Sequence, residues 1–581
     1  MGEQLELAAY LFRRLYQAGV RAIHGVPGDY NLTLLDYIVP SGLEWIGSCN
    51  ELNAGYAADG YARVKGISAF TTTFGVGELS AMNAVGEAYA EMSPVVHVVG
   101  TPSRMFQAQG RRIHHTLCTG DPSDYSIYAD MTVKITAARE NLVNEATATA
   151  QIDHALRTCI LQSRPVYIQL PTDMVNAQVP AAALANPLDL SPPPHNLDFQ
   201  AEAVSHILKN IYASKQPFLL VDAGASRYGA ADEANKLAQL TGFPTCATPF
   251  GKSTINETLS NFHGVYATAG KNDISSWVKA CDLVLYIGPC VSNINTYGFT
   301  AIPTPETAIT FNRDTVVVGE GCRCEAGRYN VPLKPLLREI LDRLDKTKLP
   351  TSTSSPDLPS PRQDLAALPA TQPANAMDHE TFWKRMSNFF RPGDIIMTET
   401  GTSSTGGREF VLPENAQQIN SSIWLSIGFM LPAAQGASLA QRERQRPGRT
   451  ILFEGDGSFQ VTAQELSTII RKRLDLIVFL INNNGYTIER LIHGRDAEYN
   501  DIAPWRYLEC PSAFGAPTDG SYDVQTAKAT TWGELNALLA DENFQNGRGL
   551  RFVEVALGTY DAPEVLKLMT SRNVKAYQQK S

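Results

Sequence analysis

The chain has 581 residues, 19% of them charged, and a formal net charge of −10. That length calls for about three domains of roughly 150 to 200 residues, and that charge argues against nucleic acid or an anionic membrane as the main partner, since both attract basic surfaces. The nine cysteines are odd in number and scattered, with only a CxC pair at Cys322 and Cys324, so they read as reduced thiols of a cytoplasmic protein rather than a metal cluster or disulfide framework.

The opening MGEQLELAAYLFRRLYQAGV reads as an amphipathic helix without the basic head, apolar run and cleavage site of a signal peptide. No apolar stretch approaches the ~20 residues needed to cross a bilayer. Next, Glu51 follows the strand-like LEWIGSCN and opens the helical ELNAGYAADGYAR; taken alone, it reads equally as a carboxylate favoured at a helix N-terminus. His114 and His115 then stand side by side in GRRIHHTLCTG. Neighbours on a strand point to opposite faces, so two adjacent imidazoles converge on one cavity only from a loop or strand end.

Further on, the apolar runs FLLVDAG, DLVLYIG, TILFEGDG and DLIVFLINNNG end in glycine or asparagine and alternate with helix-length segments. This is the rhythm of parallel α/β sheets. Two stretches rich in Pro, Ser, Thr or Ala, around 180 to 198 and 345 to 378, read as linkers. They divide the chain into domains at 1–180, 195–345 and 378–581, with a linker at 346–377. No short tandem repeat is present.

The most specific signal lies at residues 450 to 490. One strand ends in Gly455, Asp456, Gly457 and Ser458; a helix follows, for which Thr462 and Glu465 fit a capping box; the next strand ends in Asn482, Asn483, Asn484 and Gly485. Ends of neighbouring parallel strands share the edge where ligands bind, so Asp456 and Asn483 can meet there. A carboxylate, an amide oxygen and a backbone carbonyl are hard ligands suited to Mg2+ with phosphate oxygens, and the glycines let backbone N–H groups close on those phosphates. A P-loop is excluded because GxxxxGK[ST] is absent, and GxGxxG does not fit the segment.

GDG followed about 25 residues later by NN is the signature of thiamine diphosphate enzymes, and the blocks HGVPGDYNL, NELNAGYAADGYAR, TTFGVGELSA, HHTL, ETGTS, SIGF, GDGSFQ and NNNGYTIERLIHG run in the order of that family's 2-oxo acid decarboxylase branch. The chain resembles this branch along its whole length. The resemblance implies an α/β protein of three doubly wound parallel-sheet domains: pyrimidine-binding, middle and diphosphate-binding. It implies a carbon–carbon lyase that decarboxylates a pyruvate-type 2-oxo acid to an aldehyde and CO2 through ylide and enamine intermediates, with thiamine diphosphate and Mg2+ as cofactors. The enzyme is then a homodimer at least, with a homotetramer expected, in the cytoplasm, and without a nucleic-acid or membrane partner.

Carried over residue by residue, Asp456, Asn483 and the Gly485 carbonyl hold Mg2+, while Gly455, Gly457 and Ser458 touch the diphosphate. Glu51 hydrogen-bonds the aminopyrimidine. Ile427 of SIGF is the apolar wedge that bends the cofactor, the Leu425 carbonyl contacts it where the family often has glycine, and Thr402 and Ile488 lie close by. His114 and His115, paired with Asp29, relay the proton that precedes aldehyde release, and Glu489 lies near the substrate carboxylate, protonated for part of the cycle. Ser404 and Thr405 fall where strict pyruvate enzymes place a bulky aromatic, and with Ile488 and Ile492 they shape the substrate pocket. Their small size leaves open a preference for branched or aromatic 2-oxo acids. Gly224 and Ala225 replace the cysteine pair by which some members are activated. A carboligase forming acyloins and an inactive scaffold are the alternatives; the second predicts a lost chemical residue, and none is lost.

Overall fold

A computed structural model describes residues 3–117, 122–268, 270, 274–319, 327–350, 358–445 and 447–578, with side chains as far as 571. The pair Cys322 and Cys324 lies outside the described residues.

The first sheet has six parallel strands, Ala22–Gly25, Glu44–Gly47, Ser68–Thr73, Val95–Thr101, Arg139–Asn141 and Val166–Pro171; numbered along the chain, their spatial order is 2-1-3-4-6-5. The last sheet, Ile395–Thr398, Gln417–Ile419, Thr450–Gly455, Leu476–Asn482, Val524–Ala529 and Leu550–Ala556, is also wholly parallel and has the same order. In such a sheet the winding reverses between strands 1 and 3, and that crevice is where ligands bind. The chain therefore carries two equivalent ligand edges, one at each end of its sequence.

The central sheet is parallel over five strands and adds an antiparallel edge. Its strands from Pro217–Val221 to Ala308–Phe311 run parallel in the order 3-2-1-4-5, but Val316–Val318 and Arg328–Tyr329 are antiparallel. The reason is the short connection: the Asn312 N–H donates to the Thr315 carbonyl at 2.8 Å, closing a turn far shorter than the dozen residues a parallel crossover needs.

The opening helix forms at Leu7–Gln17, and the strand before it, Gln4–Glu6, pairs antiparallel with Gln178–Pro180. The next long helix begins at Leu197. The Thr462 and Glu465 capping box does not form. One helix ends at Thr462, whose hydroxyl donates to the Gly428 carbonyl at 2.8 Å, and the next begins at Glu465. Glu465 is instead buried against the first sheet's domain, accepting a 3.0 Å hydrogen bond from the Asn53 amide. Packing across domains has taken the residue from its local cap.

The two outer sheets are joined by helices Glu51–Lys65 and Met430–Arg442, which pack backbone to backbone. A Cβ on Gly60 would lie 2.0 Å from the Ala433 carbonyl, and one on Gly436 would lie 1.8 Å from that of Ala57. Only glycine fits at either point.

Burial raises the Glu465 carboxyl to about 7 against its ordinary 4.5, with the Asn53 hydrogen bond opposing. Between those pH values the folded protein holds a proton that the unfolded chain has released. The stability this group contributes is thus full below pH 4.5 and is lost as pH rises through 7. Glu465→Gln should raise the melting temperature by ~2 °C or more at pH 8 and change it little at pH 4.5, measured by calorimetry at the two pH values.

Candidate functional site

At the crevice of the last sheet, Gly455 ends its strand in register with Ile481 of the neighbour, which brings Asp456 and Asn483 to one edge. Thr400, Gly401, Thr402, Ile427, Gly455, Asp456, Gly457, Ser458, Asn483, Gly485, Tyr486, Thr487, Ile488 and Glu489 line a cavity there. Asp456 is 2% exposed; Oδ1 accepts the Gly457 N–H at 2.9 Å and Oδ2 accepts the Gly485 N–H at 3.0 Å. Burial lifts its carboxyl to about 6, although these N–H groups oppose the rise. An ionised Asp456 in this position calls for a counter-charge.

The Asn483 amide stands at the same corner and can turn its oxygen toward Asp456 and the Gly485 carbonyl. Its Oδ1 points at two acceptors, Asp456 Oδ1 at 3.1 Å and the Gly485 carbonyl at 2.8 Å, while Nδ2 faces the Thr487 hydroxyl at 3.0 Å. In the bare protein the reversed amide is better satisfied. The oxygen-inward orientation becomes the favoured one when a hard divalent cation sits among the three oxygens, so this donor set fits Mg2+. The neighbouring backbone is bare because a side chain at Gly457 would strike the Tyr486 ring at 2.6 Å.

The other wall is built by two buried carboxylates. Glu399 accepts the N–H groups of Thr400 at 2.7 Å and Met430 at 2.9 Å, and Glu91, from the first sheet's domain, accepts the Ser421 hydroxyl and the N–H groups of Ser422, Ile423 and Trp424 at 2.7 to 3.0 Å. Between these anchors Leu425 adopts a φ of +61°. Glycine reaches that region without strain, which accounts for the residue the resemblance leads one to expect. Ile427, which lines the cavity, is 37% exposed.

Ser404 and Thr405, expected beside the substrate, do not line this cavity; they are 6% and 7% exposed. They sit in the short helix Thr402–Gly406, where successive residues turn by ~100°. With Thr402 facing the cavity, the next residues turn into the protein, and Thr405 borders a separate cleft with His379 and Lys384. Ile492, one turn beyond Ile488, is 45% exposed and also outside the lining. The lining adds Gly401, Tyr486 and Thr487, each adjacent to a residue that the motifs had singled out, and Thr400, two positions before Thr402.

At the equivalent crevice of the first sheet, Asp29 follows strand Ala22–Gly25 and Gly75 follows strand Ser68–Thr73. Here the two histidines converge. His115 has a φ of +68°, which reverses the alternation expected of neighbours, and the imidazoles lie edge to face with centroids 4.7 Å apart. His114 Nε2 is 2.5 Å from Asp29 Oδ2, and Tyr30, which the sequence reading missed although it adjoins Asp29, stacks on the His114 ring at 5.0 Å. The His115 carbonyl accepts the Tyr128 hydroxyl at 2.6 Å. Glu51 is the first residue of its helix, half-buried, and burial raises its carboxyl pKa.

None of Asp29, Glu51, His114 and His115 lines the cavity that holds Asp456, and among the described residues no hydrogen bond joins the two groups. The segment before Glu51 abuts helix Glu465–Arg471 instead: Cys49 Sγ lies 3.0 Å from the Ser467 hydroxyl. Within one chain the two groups therefore stand at separate crevices.

A crevice that pairs a divalent-cation donor set with close backbone, matched by a crevice of proton-handling groups, defines a cofactor-dependent enzyme. Three family profiles match in order: thiamine pyrophosphate enzyme, N-terminal TPP binding domain, at residues 5–119; central domain at 204–329; and C-terminal TPP binding domain at 399–544. The chain is 46% identical to a pyruvate decarboxylase of Aspergillus parasiticus over 99% of this chain and 98% of that one, and 41% identical to pyruvate decarboxylase isozyme 3 of Saccharomyces cerevisiae over 97% of each. It belongs to the thiamine pyrophosphate enzymes.

Asp456→Asn should weaken cofactor binding at least ~100-fold while leaving the fold intact. The check is thermal shift with thiamine diphosphate and Mg2+: the native protein gains several degrees and the variant should gain almost none.

Proposed function

We propose that this enzyme decarboxylates a 2-oxo acid, pyruvate first, to an aldehyde and CO2, in the cytoplasm, as a homodimer that pairs into a tetramer, with domains at 1–180, 195–345 and 378–581. The observation that carries the chemistry is the convergence of His114 and His115 on Asp29 at one ligand edge, opposite in kind to the phosphate and metal corner at the other. The printed name of the relatives, pyruvate decarboxylase, supports pyruvate. The alternative of larger acids rests on the small side chains of Ser404 and Thr405, which, like Glu51, His114 and His115, do not line the cavity of the single chain.

When bound, thiamine diphosphate supplies the carbon nucleophile and the electron sink. Asp456, Asn483 and the Gly485 carbonyl would hold its Mg2+, with Gly455, Gly457 and Ser458 against the diphosphate. Thr402, Ile427, Ile488 and the Leu425 carbonyl would set its orientation. Glu51, whose raised pKa suits it to share a proton, would hold one at the aminopyrimidine nitrogen. Glu489 would face the substrate carboxylate.

After CO2 leaves, its place on the substrate carbon must be taken by a proton. His114 and His115 would deliver it, with Asp29 orienting His114 through the 2.5 Å contact. Because Asp29, Glu51, His114 and His115 do not line the Asp456 cavity within one chain, the N-terminal edge of one subunit would close on the C-terminal edge of a second.

Glu51→Gln should lower turnover by ~10² to 10⁴ while cofactor still binds. Asp29→Asn should slow proton delivery, so that more of the product leaves as acyloin, formed when a second aldehyde captures the carbon first. The first assay is aldehyde release from pyruvate, 2-oxobutyrate, 4-methyl-2-oxopentanoate, phenylpyruvate and indolepyruvate. A preference for pyruvate is expected; silence across the panel would remove the decarboxylase reading.

A further inference from the structure

Glu78 is 2% exposed, has no cationic partner among the described residues, and takes no part in the roles assigned above. An unpaired carboxyl in the interior is costly. Its two oxygens are nonetheless fully committed: Oε1 accepts the Gly75 N–H at 2.7 Å and Oε2 accepts the Tyr167 hydroxyl at 2.5 Å. Tyr167 is itself packed in the sheet against His97 with ring centroids 5.5 Å apart. Glu78 thus ties one end of a turn to a rigid strand.

That turn touches both groups that handle protons. Gly75 has a φ of +71°, and a Cβ there would lie 2.6 Å from the His115 carbonyl oxygen and 3.0 Å from the His115 Cβ. Two residues on, a Cβ on Gly77 would lie 3.1 Å from Glu51 Oε1. His115 holds a left-handed backbone, φ +68°, that a non-glycine residue leaves readily unless braced. One brace is the Tyr128 hydroxyl on its carbonyl, and the other is the Gly75 backbone.

We infer that Glu78 is a positioning residue: by pinning the Gly75–Gly77 turn to Tyr167 it sets Glu51 and His115 in register with each other. The inference rests on the decarboxylase reading and adds to it a residue that touches neither substrate nor cofactor. Burial raises the Glu78 carboxyl to about 7, so it accepts its two hydrogen bonds in a protonation state sensitive to what surrounds it, and loss of either donor would loosen the turn.

The test uses the holoenzyme with pyruvate and reads the share of acyloin in the product alongside turnover and cofactor binding. Glu78→Ala removes the carboxyl that accepts from both the Gly75 N–H and the Tyr167 hydroxyl. It should lower kcat by ~10- to 100-fold, raise the acyloin share severalfold, and leave cofactor affinity within about threefold. Glu78→Gln keeps an oxygen for Gly75 and should recover most of both. Tyr167→Phe, which keeps the ring in the core, should raise the acyloin share less but in the same direction, and it carries the test if the alanine variant does not fold. An acyloin share unchanged in Glu78→Ala or Tyr167→Phe, or a glutamine variant as impaired as the alanine one, would overturn the inference. If Asp29→Asn also leaves the share unchanged, the proton-delivery reading itself fails; if Asp29→Asn raises it and Glu78→Ala does not, only the role of Glu78 does.

Discussion

The contact of helix Glu51–Lys65 with helix Met430–Arg442 is the constraint on which the rest depends. Gly60 and Gly436 let the two backbones touch, and both helices begin at the functional edges. Glu51 is the first residue of one; the other starts three residues after Ile427, with its Met430 N–H held by Glu399. A bulkier residue at either glycine would push the helices apart and displace the acid and the apolar wedge together. The same contact holds the two ligand edges in a fixed relation within one chain.

Buried carboxyls recur at these edges, each with a different task. Asp456 has N–H donors and a donor set open to a cation; Glu399 and Glu91 have backbone donors and brace the 421–430 segment; Glu51 has room to share a proton; Glu78 holds a turn. Burial raises the pKa of Asp456, Glu51, Glu78 and Glu399 alike, and their partners decide what that does. The fold supplies the low-dielectric setting, and local donors assign the function.

Much of this was legible in the sequence. Asp456 and Asn483 stand in a strand–helix–strand frame that parallel-sheet rules translate directly into a shared edge, and adjacent histidines force a loop. What was hidden depended on direction or distance. Ser404 and Thr405 were placed by position along the chain, whereas the turn of a five-residue helix decides which side chain meets the cavity. The αL backbone of Leu425 and His115 leaves no compositional trace, since neither is glycine. Glu78 carries no mark in the sequence, since its role rests on contacts with Gly75 and Tyr167 that only the fold makes. The identical strand order of the outer sheets has no sequence repeat behind it, because topology constrains hydrophobic pattern and not residue identity. The antiparallel edge of the central sheet turned on a four-residue connection that the βαβ rhythm alone does not resolve.

The account's central claim is that each working site joins the N-terminal edge of one chain to the C-terminal edge of another, and subunit complementation tests it directly. Glu51→Gln and Asp456→Asn proteins, each inactive alone, are dissociated, mixed in equal amounts and reassembled with cofactor. A site shared between chains restores one intact site in every mixed dimer, which predicts aldehyde release at roughly a quarter of the native rate for random pairing. Recovery no greater than that of the separate variants would place both halves within one chain and contradict the account.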